Sequence, residues 1–239
     1  MGKFGKWVAG ELGWALFGPI GGIIGFVAGS LLETDTLTSG KSRQETTAGG
    51  FAMTLLVLTA SVMKADGKVV KSELDFVKQY FTKVFGVDAA QEALLMLRDI
   101  LKQSIPIDEV CRQISQNMDY SSRLQLLHFL YGVAQADGHV DEREKKLIDE
   151  IGYKIGLSAK DIGSVRSMFV QNTNWAYDVL EISSDATNED VKKAYRKMAI
   201  KYHPDKVSHL GEEFQEEAKQ KFQKLAEAYE LIKKERGIN

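Results

Sequence analysis

The same helical hairpin pattern occurs twice in this chain of 239 residues, with an offset of 71 residues between Asp66 and Asp137. Segments 55–77 and 126–148 each contain an apolar helix, the tripeptide Ala-Asp-Gly, a charged start and a second apolar helix. A duplicated unit is the simplest account of such self-similarity. The repeat therefore predicts an all-α domain that is built on two related hairpins.

The two Ala-Asp-Gly steps allow a structural and a functional interpretation. Glycine supplies a left-handed helix end, and aspartate hydrogen-bonds to nearby backbone, so that both favour a turn. Alternatively, Asp66, Glu73, Asp137 and Glu144 converge as oxygen ligands for a divalent cation such as Ca²⁺ or Mg²⁺. One Asp and one Glu in each loop are sparser than the ligands of an EF-hand, and both interpretations remain open.

Residues 12–32 carry no charged side chain, and a helix needs about 20 apolar residues to cross a bilayer. Glycines within this stretch lie three or four residues apart, which lets two helices approach closely in lipid. These are Gly18, Gly21, Gly22, Gly25 and Gly29. The pattern predicts a single-span membrane anchor over 1–33, in contact with lipid and able to form a homodimer.

Three other interpretations of the apolar segment remain open. Basic residues before it and the small residues Ala28-Gly29-Ser30 are typical of a cleaved signal peptide. A buried core helix is the second, and a re-entrant loop broken at Gly18-Pro19 is the third. Lysines lie on both sides of the segment, so the charges do not define its orientation.

Charge and composition narrow the function classes. A net charge of −2 argues against a polyanion-binding protein, so we expect no nucleic-acid partner. The single cysteine, Cys111, excludes a disulfide framework and a multi-cysteine zinc site. The four histidines lack the spacing of metal ligands. We expect no enzyme activity and no cofactor, other than the possible divalent cation.

A strongly basic helix runs into the tripeptide His203-Pro204-Asp205 near the C-terminus. Its apolar residues recur at i, i+3, i+4, i+7, i+8 and i+11 from Val191, which is one helical stripe. The opposite face carries Lys192, Lys193, Arg196, Lys197 and Lys201. Proline cannot continue the helix, so His203 and Asp205 should lie on an exposed loop. A catalytic His/Asp pair would need a nucleophile, and none is near in sequence.

Three segments in this order resemble the J-domain family: YDVL, KKAYRKMAIKYHPDK and QKFQKLAEAYELI. The resemblance implies a DnaK-type chaperone as partner, with ATP hydrolysis triggered by the loop of His203, Pro204 and Asp205. It also implies a docking face on the basic helix, formed by Lys192, Tyr195, Arg196, Lys197 and Lys201. The implied core residues are Tyr177, Leu180, Phe222, Leu225 and Tyr229.

The duplicated hairpins resemble the TerB-like tellurite-resistance fold, and the whole order resembles the DjlA-like family of membrane-anchored co-chaperones. We therefore expect an anchor (1–33), a polar linker (34–48), a TerB-like helical bundle (49–172) and a J-domain helical hairpin (173–239). The resemblance implies a single-pass protein of the inner membrane, with both folded domains in the cytoplasm. It also implies stimulation of the chaperone's ATPase. The alternative is a stress-response scaffold that binds a cation and recruits the chaperone secondarily.

Overall fold

The computed structural model describes residues 18–29, 48–170 and 173–238, which form eleven α-helices and one 3₁₀ segment. The first seven are α1 (Pro19–Gly29), α2 (Ala48–Met63), α3 (Lys71–Phe85), α4 (Val87–Ile100), α5 (Ile107–Asn117), α6 (Tyr120–Ala134) and α7 (Glu142–Lys154). Then follow α8 (Ala159–Ser167), α9 (Trp175–Val179), α10 (Asn188–Lys201), the 3₁₀ segment Pro204–Leu210 and α11 (Glu212–Arg236). No strand occurs in these ranges, and the predicted all-α class is confirmed.

The chain divides into two compact units, unit 1 (Met1–Gly156) and unit 2 (Leu157–Asn239). The predicted polar linker over 34–48 lies almost entirely outside the described residues. Helix α8 falls within the predicted span of the TerB-like bundle, yet it lies in unit 2 with the J-domain helices. The predicted boundary at residue 172 thus lies after a helix that belongs to unit 2.

Helix α2 is the centre of unit 1. All sixteen of its residues are buried, and it packs against α1, α4, α5, α6 and α7. A helix that is apolar on every side has to be buried, in protein or in lipid. Here the surrounding helices supply that cover, so α2 forms the axis around which the two hairpins are arranged.

Both repeats form the predicted hairpins, α2–α3 and α6–α7. Gly67 and Gly138 have φ of 83° and 92°, the left-handed conformation that glycine adopts without steric cost. Asp66 Oδ1 accepts a hydrogen bond from Lys68 N at 2.8 Å, and Asp137 Oδ1 accepts one from His139 N at 3.0 Å. These local bonds account for the turns that the Ala-Asp-Gly steps predict.

The described part of the predicted anchor is α1, which packs on α2, α4 and α5. Ile20 and Ile24 are buried, and the side chain of Gln113 accepts a hydrogen bond from Ile20 N at 3.0 Å. Within the described residues no helix is long and apolar enough to span a bilayer. Residues 1–17 and 30–33 of the predicted anchor lie outside the described ranges.

The glycine stripe of the predicted dimer interface is therefore only partly described. A Cβ built on Gly22 would meet no heavy atom within 4 Å, whereas one on Gly18 would lie 3.2 Å from the Gln113 side chain. Gly21, Gly25 and Gly29 also lie on α1. Dimerisation through this stripe remains a prediction.

Unit 2 is built around α11, which packs against α9, α10 and the 3₁₀ segment. Of the predicted core residues, Tyr177, Leu180 and Leu225 are buried. Phe222 and Tyr229 are half-buried. Helix α8 packs on α9, so it extends the core of the J-domain hairpin.

Candidate functional site

Local sequence signals set both ends of α10. At its start, Asp190 N donates to the Thr187 hydroxyl at 3.2 Å, and Thr187 N donates to Asp190 Oδ2 at 3.3 Å. This reciprocal pair satisfies backbone donors that the first helical turn leaves open. At its end, Pro204 begins the 3₁₀ segment, and the α-helix stops at Lys201. The predicted start and stop of the basic helix are thus both observed.

The predicted trigger loop, which keeps this name below, consists of His203, Pro204 and Asp205. The side chains of His203 and Asp205 are 52% and 81% exposed. His203 Nδ1 accepts a hydrogen bond from Asp205 N at 3.3 Å and lies 3.4 Å from Asp205 Oδ2. An imidazole that accepts at Nδ1 carries its proton on Nε2 when it is neutral. The loop therefore presents an N–H donor and a carboxylate to solvent.

Contacts with α11 hold this loop and the adjoining predicted docking face of α10. The ring of His203 meets the ring of Phe222 edge-on, with centroids 6.2 Å apart. On α10, Tyr195 stacks on Tyr229 of α11, with centroids 4.2 Å apart and planes 14° apart. The loop and the predicted docking face thus both pack on α11 through aromatic contacts.

Most of the predicted docking cations reach solvent. Arg196 and Lys197 are exposed, and Lys192 is half-buried. Lys197 Nζ lies 3.6 Å from Glu181 Oε2, but its side chain is 69% exposed. At that exposure the ion pair is weak, so Lys197 remains available to a partner.

Lys201 differs from the other predicted docking residues, because its side chain turns inward. It is 20% exposed and forms ion pairs with Asp161 and with Glu181, whose Oε1 lies 2.7 Å from Lys201 Nζ. The two carboxylates are almost fully buried, at 2% and 4% exposure. Burial lowers the pKa of Lys201 to about 8, which leaves it protonated at neutral pH.

Sequence reasoning did not single out Asp161 or Glu181. Asp161 and Ser158 form a helix start, with Asp161 N donating to Ser158 Oγ at 3.2 Å, and that cap is readable from the sequence. Nothing local indicates that its carboxylate meets a lysine forty residues later. Arg236 was missed as well: it donates to Tyr177 Oη at 3.0 Å and to Ser184 O at 2.6 Å.

The predicted cation ligands gather around a buried acidic pair, Glu73 and Glu144, which are 4% and 6% exposed. Each caps its own helix: Val70 N donates to Glu73 Oε2 at 2.8 Å, and Asp141 N donates to Glu144 Oε2 at 3.3 Å. Their side chains also hydrogen-bond to each other. Two carboxyl groups can share such a bond only when one of them holds a proton.

Burial and neighbouring charge favour that proton. Burial raises the pKa of Glu144 to about 7, and the charge of Glu73 adds to the effect. Burial likewise raises the pKa of Glu73, with further contributions from Asp66 and Asp137. Across the part of the chain that the structure describes, no three His, Cys, Asp or Glu side chains form a group that could hold a metal ion.

Comparison with known proteins identifies three matched segments. Residues 1–44 match the co-chaperone DjlA transmembrane domain, residues 52–167 match tellurite resistance protein TerB, and residues 175–237 match the DnaJ domain. The predicted resemblances to these three families are confirmed. The TerB match includes α8, which the fold places in unit 2.

The chain is also similar to curated proteins that share the name Co-chaperone protein DjlA. The chain is 26% identical to Co-chaperone protein DjlA of Coxiella burnetii, over the whole of both chains. It is also 26% identical to the DjlA of Haemophilus influenzae over 98% of each chain, and 26% identical to that of Vibrio cholerae over 86% of this chain and 84% of the relative. No solved structure matches the chain.

Proposed function

We propose that this DjlA-like J-domain co-chaperone binds a DnaK-type chaperone through its trigger loop and α10, and stimulates the ATP hydrolysis of that chaperone at the inner-membrane surface. The observation that carries the proposal is the exposed pair of His203 and Asp205 at the end of a basic helix. The DnaJ-domain match covers both elements. The match to the DjlA transmembrane domain supports the membrane location.

The docking face and the trigger loop have different tasks. Exposed cations such as Arg196 and Lys197 attract an acidic surface and speed the encounter, an effect that salt weakens. The trigger loop then presents the His203 Nε2–H and the Asp205 carboxylate in a geometry that the Phe222 contact restrains. Long-range charge thus supplies the rate of encounter, and the restrained loop supplies specific polar contacts.

The primary test is single-turnover ATP hydrolysis by the cognate DnaK-type chaperone, with and without the full chain. We expect stimulation by the native protein and none by the His203→Gln variant. His209→Gln is the matched control, because His209 is an exposed histidine of the same 3₁₀ segment outside the trigger loop. A native protein that is folded but does not stimulate the chaperone would refute the proposal.

The N-terminal segment supports a second part of the proposal, membrane attachment with homodimerisation. We propose that its N-terminus faces outward, since a DnaK-type chaperone and its ATP are cytosolic. Replacing Gly25 by Leu should prevent close approach of two helices and leave a monomer in detergent. Sedimentation of the two proteins in the same detergent tests this, and equal self-association would contradict it.

A divalent cation is the alternative function for unit 1. What favours it is that Asp66 and Asp137 both raise the pKa of the buried Glu73, and that Asp66 also raises the pKa of Glu144. A cation would replace the proton that the acidic pair shares and would require the carboxylates to reorient. Ca²⁺ or Mg²⁺ should then raise the unfolding temperature, and the Asp66→Asn/Asp137→Asn variant should lose the effect. An unchanged unfolding temperature with either cation would exclude this function.

A further inference from the structure

Helix α8 lies within the TerB match, but it belongs to the same compact unit as the helices of the DnaJ match. Ile162 and Val165 on it are buried in unit 2. Ser164 Oγ donates to Val179 O at 2.8 Å, and Ser167 Oγ donates to Asp178 Oδ2 at 3.4 Å. Apolar burial and these two bonds attach α8 to α9, the first helix of the DnaJ match.

The same helix supplies a carboxylate to the end of α10. Asp161 and Glu181 enclose the ammonium group of Lys201, and these three residues are termed the charged clamp. Lys201 is the last residue of α10 and lies two positions before His203. The clamp therefore acts on the helical turn from which the trigger loop emerges.

Two features indicate that the residues of the clamp are held in place by their surroundings. Glu181 has φ of 59°, a left-handed conformation that no other non-glycine residue adopts in the described ranges. Such strain persists only where the surrounding structure over-determines it. In addition, Lys201 and Lys221 both lie over the ring of Tyr202, with Nζ at 6.0 Å and 5.8 Å from its centroid. Tyr202 connects α10 to the trigger loop and is itself buried.

We propose that Asp161 is a positioning residue for the trigger loop: with Glu181 it fixes Lys201, and thereby the end of α10 and the direction in which His203 and Asp205 point. Lys201 then belongs to the support of the docking face and does not touch the chaperone. The functional meaning of this assignment rests on the proposed function. The structural part does not, so the two can fail separately.

Hydrogen exchange of the full chain tests the structural part. Asp161→Asn keeps the polar partner of Ser158 but removes the buried charge, and we expect amide exchange at 199–205 to quicken by about tenfold. Amides of Leu180 and Leu225, in the core of the unit, should change far less. Asp190→Asn is the matched control, since Asp190 has the same position in a Thr-capped helix start and is exposed.

Two outcomes would overturn the structural part. One is equal exchange at 199–205 in the Asp161→Asn and Asp190→Asn proteins. The other is a uniform increase over all of unit 2, which would mean that Asp161 supports the fold in general and does not position the loop. Local quickening that is confined to 199–205 supports the assignment whether or not the native protein stimulates a chaperone.

Chaperone titration tests the functional part. In the Asp161→Asn protein we expect the loop to hold its docking geometry in about a tenth of the molecules. The concentration of this variant that gives half-maximal ATPase stimulation should then be about ten times that of the native protein. The salt dependence should stay as in the native protein, because the clamp does not contact the chaperone. Arg196→Ala, by contrast, should flatten the salt dependence. A flattened salt dependence in Lys201→Met would place Lys201 on the docking face and overturn the assignment.

Discussion

The two units bury charged groups in opposite ways. In unit 1, Glu73 and Glu144 place like groups against each other, and burial raises the pKa values of both. In unit 2, Lys201 lies between the buried carboxylates of Asp161 and Glu181, so unlike groups meet. The acidic pair of unit 1 needs a bound proton to reduce its charge. In unit 2 the ammonium group of Lys201 offsets much of the charge of the two carboxylates.

The difference follows from how each unit is built. Glu73 and Glu144 occupy equivalent positions of the two repeats, and when related hairpins pack together, equivalent residues near the shared axis meet. A self-complementary contact brings like to like, as at an isologous interface. The clamp joins three unrelated elements, which were free to contribute different charges. Duplication thus favours a buried pair of identical acidic groups that shares a proton. Packing of unrelated helices allows a buried group of opposite charges.

The largest expected effect comes from removing the cation that lies between the buried carboxylates of unit 2. Lys201→Met leaves Asp161 and Glu181 buried without their cation, and should lower the free energy of unfolding of unit 2 by about 3–5 kcal/mol. Hydrogen exchange of α11 amides in the full chain measures this. Lys193→Met, which removes an exposed lysine from the same helix, should change it by less than about 0.5 kcal/mol. Equal stability of the two variants would contradict the comparison.

The second prediction concerns pH and unit 1. Because the folded pKa of Glu144 is about 7 and its ordinary value is 4.5, the folded state holds the proton more tightly. Its contribution to stability is complete below about pH 4.5 and is lost as pH rises through about 7. We expect the free energy of unfolding of unit 1 to fall by about 3 kcal/mol over this range.

Glu144→Gln should weaken that dependence and leave only the contribution of Glu73, since an amide can keep the bond to Glu73 without titrating. The variant should therefore be more stable than the native protein above about pH 7. Glu142→Gln is the control, because Glu142 lies at the same helix start with its side chain 80% exposed. Chemical denaturation at several pH values provides the measurement. A Glu144→Gln protein with the native pH dependence would show that the pair does not titrate as described.

The smallest expected effect concerns the cap of α10, where an exposed carboxylate titrates instead of a buried one. Thr187→Ala removes the cap of α10 and should cost about 1 kcal/mol at neutral pH. Hydrogen bonds from Thr187 lower the pKa of Asp190, so the capping contribution is present above its ordinary pKa and is lost in acid. This pH dependence has the opposite sign to that of unit 1. Denaturation of unit 2 at neutral and acid pH distinguishes the two.

Local features of the fold could be predicted from the sequence, because their causes lie within a few residues. The Ala-Asp-Gly turns, the cap at Thr187 and the stop at Pro204 are of this kind. The repeat also indicated that its acidic residues were related. It did not show that Glu73 and Glu144 would bond to each other, since that depends on how the hairpins pack.

Features that depend on distant contacts were not predictable. On a helical wheel Lys201 belongs to the basic face, and only the packing of α8 and Glu181 turns it inward. The packing of α1 includes a hydrogen bond to Gln113, which is far away in sequence. The family resemblance indicated a boundary after α8, because a sequence pattern records ancestry and does not show which core a helix joins.

Helix α8 also limits how this protein can exchange parts with others. A foreign J-domain that replaced this one from the start of the DnaJ match would be joined to the native α8. The buried carboxylate of Asp161 would then need a cation at the position of Lys201. Conversely, this J-domain carried elsewhere from that same point would take Lys201 and Glu181 with it and leave Asp161 behind. The structural unit that contains the J-domain helices therefore begins before the start of the DnaJ match, with helix α8.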